Sequence, residues 1–152
     1  MALEAIYTLW PRGGAARKVA AIEFVTDNHS NILAPGELLR AIHIPIAALS
    51  KRFAFRRASL TRLGRSAALL IGTCNETAGD LLLTITAATP RPVQLRFDCL
   101  PSAEALRAAI NARIPSDGYF DDVHGTPAYK RHLTYHFAEQ IRAELGAPGA
   151  RA

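Results

Sequence analysis

Along most of this chain the apolar residues come in short stretches parted by turn formers, and only toward the C-terminus does their spacing become helical. The opening "LEAIYTLWPRGGAARKVAAIEF" sets two short apolar stretches around residues 11–14, where proline and glycine supply turn chemistry, and predicts a β-hairpin. "TDNHSNILAPGELLRAIHIP" then passes through a polar loop and a Pro-Gly turn into a strand over residues 38–44, which Pro45 ends by withholding a ladder donor. Three more strand-like runs follow, "RFAFRRASL", "SAALLIGTC" and "LLLTITAAT", the last two joined by the turn-rich "NETAGD". This rhythm predicts an antiparallel meander. "SAALLIGT" is apolar on both faces, as a covered central strand would be.

Beyond "PRPVQLRF", Ser102 is placed to cap a short amphipathic helix carrying Leu106 and Ile110 at helical spacing. Thr126 and Pro127 open a longer one, with Tyr129, Leu133, Phe137, Ile141 and Leu145 as a slowly drifting apolar stripe. The fold class is therefore α+β.

Histidines gather at the second helix: His124 stands ahead of it, behind Asp121 and Asp122, and His132 and His136 lie four residues apart within it. Such a pair can bind zinc, but a metalloprotease motif needs glutamate after the first histidine, where Leu133 stands. Both histidines flank the stripe, at about 60° to 100° from Leu133. Structural histidines and a loop whose carboxylates accept backbone N–H bonds are the favoured reading, and no metal ligands are assigned. No Gly-x-Ser-x-Gly elbow, Walker motif or dinucleotide fingerprint is present, so no catalytic residues are assigned either.

Composition narrows the class further. With 152 residues and 49% hydrophobic content the chain can build one sound core. A net charge of +5 is densest in "KRFAFRRASLTRLGR", but apolar interruptions and the lack of any nucleic-acid signature argue for a strand rather than a polycationic tail. Cys74 and Cys99 are too few for a four-cysteine cluster and too far apart for Cys-x-x-Cys, which suits a reducing compartment. No run approaches the roughly 20 apolar residues of a membrane span, and the expected location is cytoplasmic.

"PGELLRAIHIP", "FAFRRASLTRLGRSAALLIG", "TITAATPRPVQLRF" and "DDVHGTPAYKRHLT", in this order, resemble the C-terminal portion of the FAD-binding subunit of molybdenum hydroxylases, the xanthine and carbon monoxide dehydrogenase flavoproteins. The likeness runs from about Leu3 to Leu145. It implies residues 1–48 as the end of the FAD-binding subdomain, residues 49–146 as a C-terminal domain with a three-stranded antiparallel sheet and a small helical bundle, and residues 147–152 as a disordered tail. It also implies that Leu39 and Arg56 lie close to the flavin, where a cation would stabilise the reduced ring. Family members carry a basic residue, commonly lysine, at the second position, and arginine's planar fork is not equivalent to it.

The glycine-rich segments that hold the FAD pyrophosphate in that family have no counterpart in this sequence. The chain alone is therefore expected to bind FAD weakly or not at all. The implied partners are a molybdenum-cofactor large subunit, an iron-sulfur small subunit and a chain supplying the N-terminal FAD-binding half. An open sheet edge would favour a homodimer or a partner strand. A split subunit, an isolated domain and a truncated remnant all stay open as origins. Against the electron-transfer component stands a second reading, an interaction domain that keeps the fold without flavin chemistry.

Overall fold

A computed structural model describes residues 1–147; the rest of the tail expected from residue 147 lies outside the described residues. The first stretch forms β1 (Ile6–Trp10) and β2 (Arg17–Ala20), the predicted hairpin, followed by the single-turn α1 (Ala21–Phe24) and the small ribbon β3 (Val25–Asp27) and β4 (Ser30–Asn31). β5 (Leu38–His43) then returns antiparallel to β1, giving a three-stranded sheet ordered β2-β1-β5. The turn into β5 is fastened by Arg17, whose Nε and Nη2 donate to Glu37 at 2.8 and 2.7 Å. That fork, with the Ala34 N–H, holds the Glu37 carboxyl down to about 2.

After α2 (Ile46–Leu49) come β6 (Arg52–Ser59), β7 (Ser66–Cys74), β8 (Leu81–Thr86) and β9 (Val93–Phe97), a meander paired in sequence order. The α+β class holds, with one correction: the second sheet has four strands, not three. Val93, Leu95 and Phe97 face inward and pair with Ile85, Leu83 and Leu81, a period-2 pattern hidden in sequence behind Pro90 and Pro92.

α3 (Ala103–Arg113) and α4 (Pro127–Gly146) cover one face of this sheet. Their starts are those the sequence indicates, with Ser102 Oγ accepting from Ala105 N at 3.1 Å and Thr126 Oγ1 accepting from Tyr129 N at 3.3 Å. At the far end of α4, Arg52 donates to the carbonyls of Glu144 and Ala147 at 3.3 and 3.2 Å. The helix sits against β7 where Gly72 leaves room: a methyl there would lie 2.3 Å from Ile141 Cγ2. The main core, from Leu70, Leu83 and Ile85 to Leu106, Ile110 and Ile141, lies between this face and the helices.

The stripe of α4 differs from the predicted one at its start. Leu133, Ile141 and Leu145 are buried, but Tyr129 is 44% exposed and Lys130 is fully buried in its place. The Lys130 ammonium lies 2.9 Å from Asp122 Oδ1 and 5.1 Å from the Phe120 ring centroid. A carboxylate and an aromatic face on one neighbouring loop let this lysine enter the core.

Candidate functional site

Leu39 sits in β5 opposite Leu9 of the central strand β1, and its side chain is half-buried within the three-stranded sheet. Arg56 belongs to β6, the edge strand of the other sheet, and lies on the same face as Ala54 and Ala58, toward α4. Its Nε donates to Gln140 Oε1 at 2.9 Å and its Nη2 pairs with Glu144 Oε2 at 2.5 Å. Gln140 in turn donates from Nε2 to His136 Nε2 at 3.0 Å. The two residues singled out in sequence thus occupy different sheets and share no partner. Arg56 is a clamp between strand and helix, and much of its charge is matched by Glu144.

The histidine cluster resolves into separate roles. His132 and His136 are exposed, with parallel rings whose centroids are 6.1 Å apart. The His124 backbone N–H donates to Asp122 Oδ1 at 2.8 Å, tightening the loop before α4. Among the described residues no three His, Cys, Asp or Glu side chains converge as metal ligands. Burial alone would raise the Asp122 carboxyl, but the Lys130 ammonium and the His124 N–H outweigh it and hold it below its ordinary range.

A cleft of about 360 Å³ opens beside this loop, its lining shared between polar side chains such as Asp27, Arg65 and His124 and apolar ones such as Val25, Pro92 and Phe120. His29 and Ala87, with φ of 55° and 65°, hold its walls in left-handed backbone without being glycine. Sequence reading missed it because its walls come from the β3–β4 turn, the ends of β7 and β8 and the loop before α4, segments that carry no shared motif.

No dinucleotide cradle is formed by the described residues. Gly13 and Gly14 have the positive φ of a tight turn and open space around them, but they lead into β2 rather than a helix N-terminus. Without the convergent amides of a helix start, that turn lacks what holds a pyrophosphate.

No family model and no curated protein matches this chain. Solved structures match it in fold. A chain of quinoline 2-oxidoreductase from Pseudomonas putida 86 superimposes with a TM-score of 0.73 at 16% identity, over 95% of this chain and 53% of that one. Carbon monoxide dehydrogenase from Hydrogenophaga pseudoflava gives 0.72 at 18% identity, over 92% of this chain and 52% of the other. Reconstituted carbon monoxide dehydrogenase from Oligotropha carboxidovorans gives 0.70 at 21% identity, over 93% and 54%. The chain has the fold of part of a chain in these oxidoreductases, and it spans about half the length of the chains it matches.

Proposed function

We propose that this chain is the C-terminal part of the FAD-binding subunit of a molybdenum-hydroxylase-type oxidoreductase, serving as scaffold and subunit-docking domain in electron transfer from molybdenum and iron-sulfur centres to FAD. The observation that carries this reading is the superposition of nearly the whole chain on about half of a quinoline or carbon monoxide oxidoreductase chain. In this reading the end of the flavin subdomain spans residues 1–48 and the C-terminal domain begins at 49. The gathering of the main core from Ala54 onward supports that division.

Flavin chemistry would be supplied by bound FAD, held chiefly by a polypeptide carrying the other half of the subunit. The contribution of this chain is positional. Leu39 would offer an apolar wall, and Arg56, fixed by Gln140 and Glu144, would bring a partly compensated cation toward the assembled site. Molybdenum and iron-sulfur centres would reside on partner subunits. No helix among the described residues is long and apolar enough to cross a membrane.

The test is to purify the chain from its native host and record its visible spectrum while its companions are identified by mass spectrometry. Flavin and iron-sulfur absorption with two or three stoichiometric partner chains is the expected result. A colourless chain without such partners overturns the reading and leaves the interaction domain, which the compensated charge of Arg56 favours. FAD titrated into the isolated chain should show no tight stoichiometric binding; if it does, the assignment of the cofactor to a partner is wrong.

A further inference from the structure

Between Glu37 and Glu76 the sequence has no carboxylate, yet it carries Arg40, Lys51, Arg52, Arg56, Arg57, Arg62 and Arg65. Lys51, Arg52 and Arg56 are answered by acids from elsewhere in the chain, whereas among the described residues Arg40, Arg57, Arg62 and Arg65 meet none. The same segment exposes large apolar side chains in succession. Ile46 and Leu49 of α2 are 83% and 62% exposed, Phe53 and Phe55 of β6 are 67% and 54% exposed, and Leu60 and Leu63 beyond β6 are 68% and 93% exposed. Phe53 and Phe55 are two apart in an extended strand and so share the face of β6 that α4 does not cover.

This strip is built rather than loose. The Arg57 guanidinium reaches over the turn after β6, its Nε donating to Ser66 Oγ at 3.0 Å and its Nη2 to the Gly64 carbonyl. Ser59 Oγ donates to the Thr61 carbonyl at 2.7 Å, and the Gly64 N–H closes on the same oxygen at 3.1 Å. Leu60 and Leu63 are therefore held out on a fastened turn. Large apolar side chains exposed in succession and accompanied by unpaired arginines mark a contact site.

We propose that the outer face of β6, from α2 through the turn at residues 60–65, is a docking surface for a protein partner whose contact face is apolar and rimmed with aspartate and glutamate. Charge complementarity chooses the occupant. A second copy in two-fold contact would set this acid-free segment against itself and leave the guanidiniums of Arg57, Arg62 and Arg65 facing like charge. A nucleic acid would satisfy the arginines and could stack on two phenylalanines, but it gives no purpose to the four exposed aliphatic side chains at the ends of the strip. The inference rests on this surface and not on the flavin reading.

The experiment places the photo-cross-linker p-benzoylphenylalanine at position 55 of the full chain in its native host, with the same probe at position 107 on exposed α3 as control. One protein adduct from position 55 and none from 107 is expected, its cross-linked partner peptide carrying apolar residues beside carboxylates. The double variant R62E/R65E, both side chains being exposed, should keep its thermal transition and lose the adduct at least about tenfold. The proposal is overturned by a self-adduct, a nucleotide adduct, equal labelling from 107, no adduct, or an adduct indifferent to charge reversal. A partner free of flavin and iron-sulfur centres would leave this surface standing while removing the proposed function.

Discussion

The two sheets of this chain reach stability by different means. The four-stranded sheet is closed on its helical side by two helices over large aliphatic side chains, and every residue of its core cluster comes from position 54 onward. The three-stranded sheet has one fully buried large residue, Leu9, with the small Ala5 and Ala21 near it, while Trp10, Leu38 and Ile42 stay about half exposed. Its turn is fastened by an ion pair between half-exposed Arg17 and the covered side chain of Glu37, where the larger sheet has a packed interior. A sheet that buries so little cannot offset its own chain entropy, so its order is borrowed from the larger unit. The joints to the larger unit are polar: Glu4 bridges Lys51 and Arg96 at 2.9 and 2.6 Å, and Gln94 donates to the Met1 carbonyl at 3.1 Å.

The largest effect should come from stranding the one buried cation. Asp122→Ala leaves the Lys130 ammonium without its counter-ion and should destabilise the larger unit by about 3–5 kcal/mol in urea unfolding, whereas Lys130→Met should be neutral or stabilising. Equal losses from both would mean that Lys130 has another partner. Next, Ile141→Ala should cost about 2–5 kcal/mol in the main transition. Leu9→Ala should leave that transition nearly in place and instead remove amide-exchange protection over residues 6–10, 17–20 and 38–43. If Leu9→Ala shifts the main transition as far as Ile141→Ala does, the two sheets are one cooperative unit and the contrast fails.

Acid sharpens the contrast at a smaller scale. Both carboxyls in question, Asp122 and Glu37, titrate lower in the folded chain than unfolded, so each stabilises fully above its unfolded value and loses that contribution as pH falls through its folded one. For Glu37 the loss runs from near pH 4.5 down to about 2, and amide-exchange protection in the small sheet should fall over that window, while any fall in the larger sheet should follow Asp122 instead. The smallest effect is that of Glu37→Gln, which should abolish this pH dependence and loosen the β5 turn without moving the main transition. An unchanged pH response would assign the dependence to another carboxyl.

Much of this architecture was legible in sequence where local chemistry decides it. The caps Ser102 and Thr126, the stop at Pro45 and the hairpin at residues 11–14 each rest on one or two residues acting on their own backbone. What escaped depends on neighbours distant in the chain. Lys130 enters the core only because residues 120–122 bring a ring and a carboxylate to it, and β9 becomes a strand because β8 offers an edge. Arg56 is set by Gln140 and Glu144, more than eighty residues away, so its role could be suggested by resemblance and its actual partners could not.

Gly72 carries a consequence beyond packing. Because a side chain there would collide with Ile141, what position 72 can hold depends on what stands at 141. An alanine at 72 is admissible only in company with a side chain at 141 that lacks the γ2 methyl. The constraint runs one way: residue 141 can change while 72 stays glycine, but a side chain at 72 next to Ile141 should prevent helix and strand from closing as they do here.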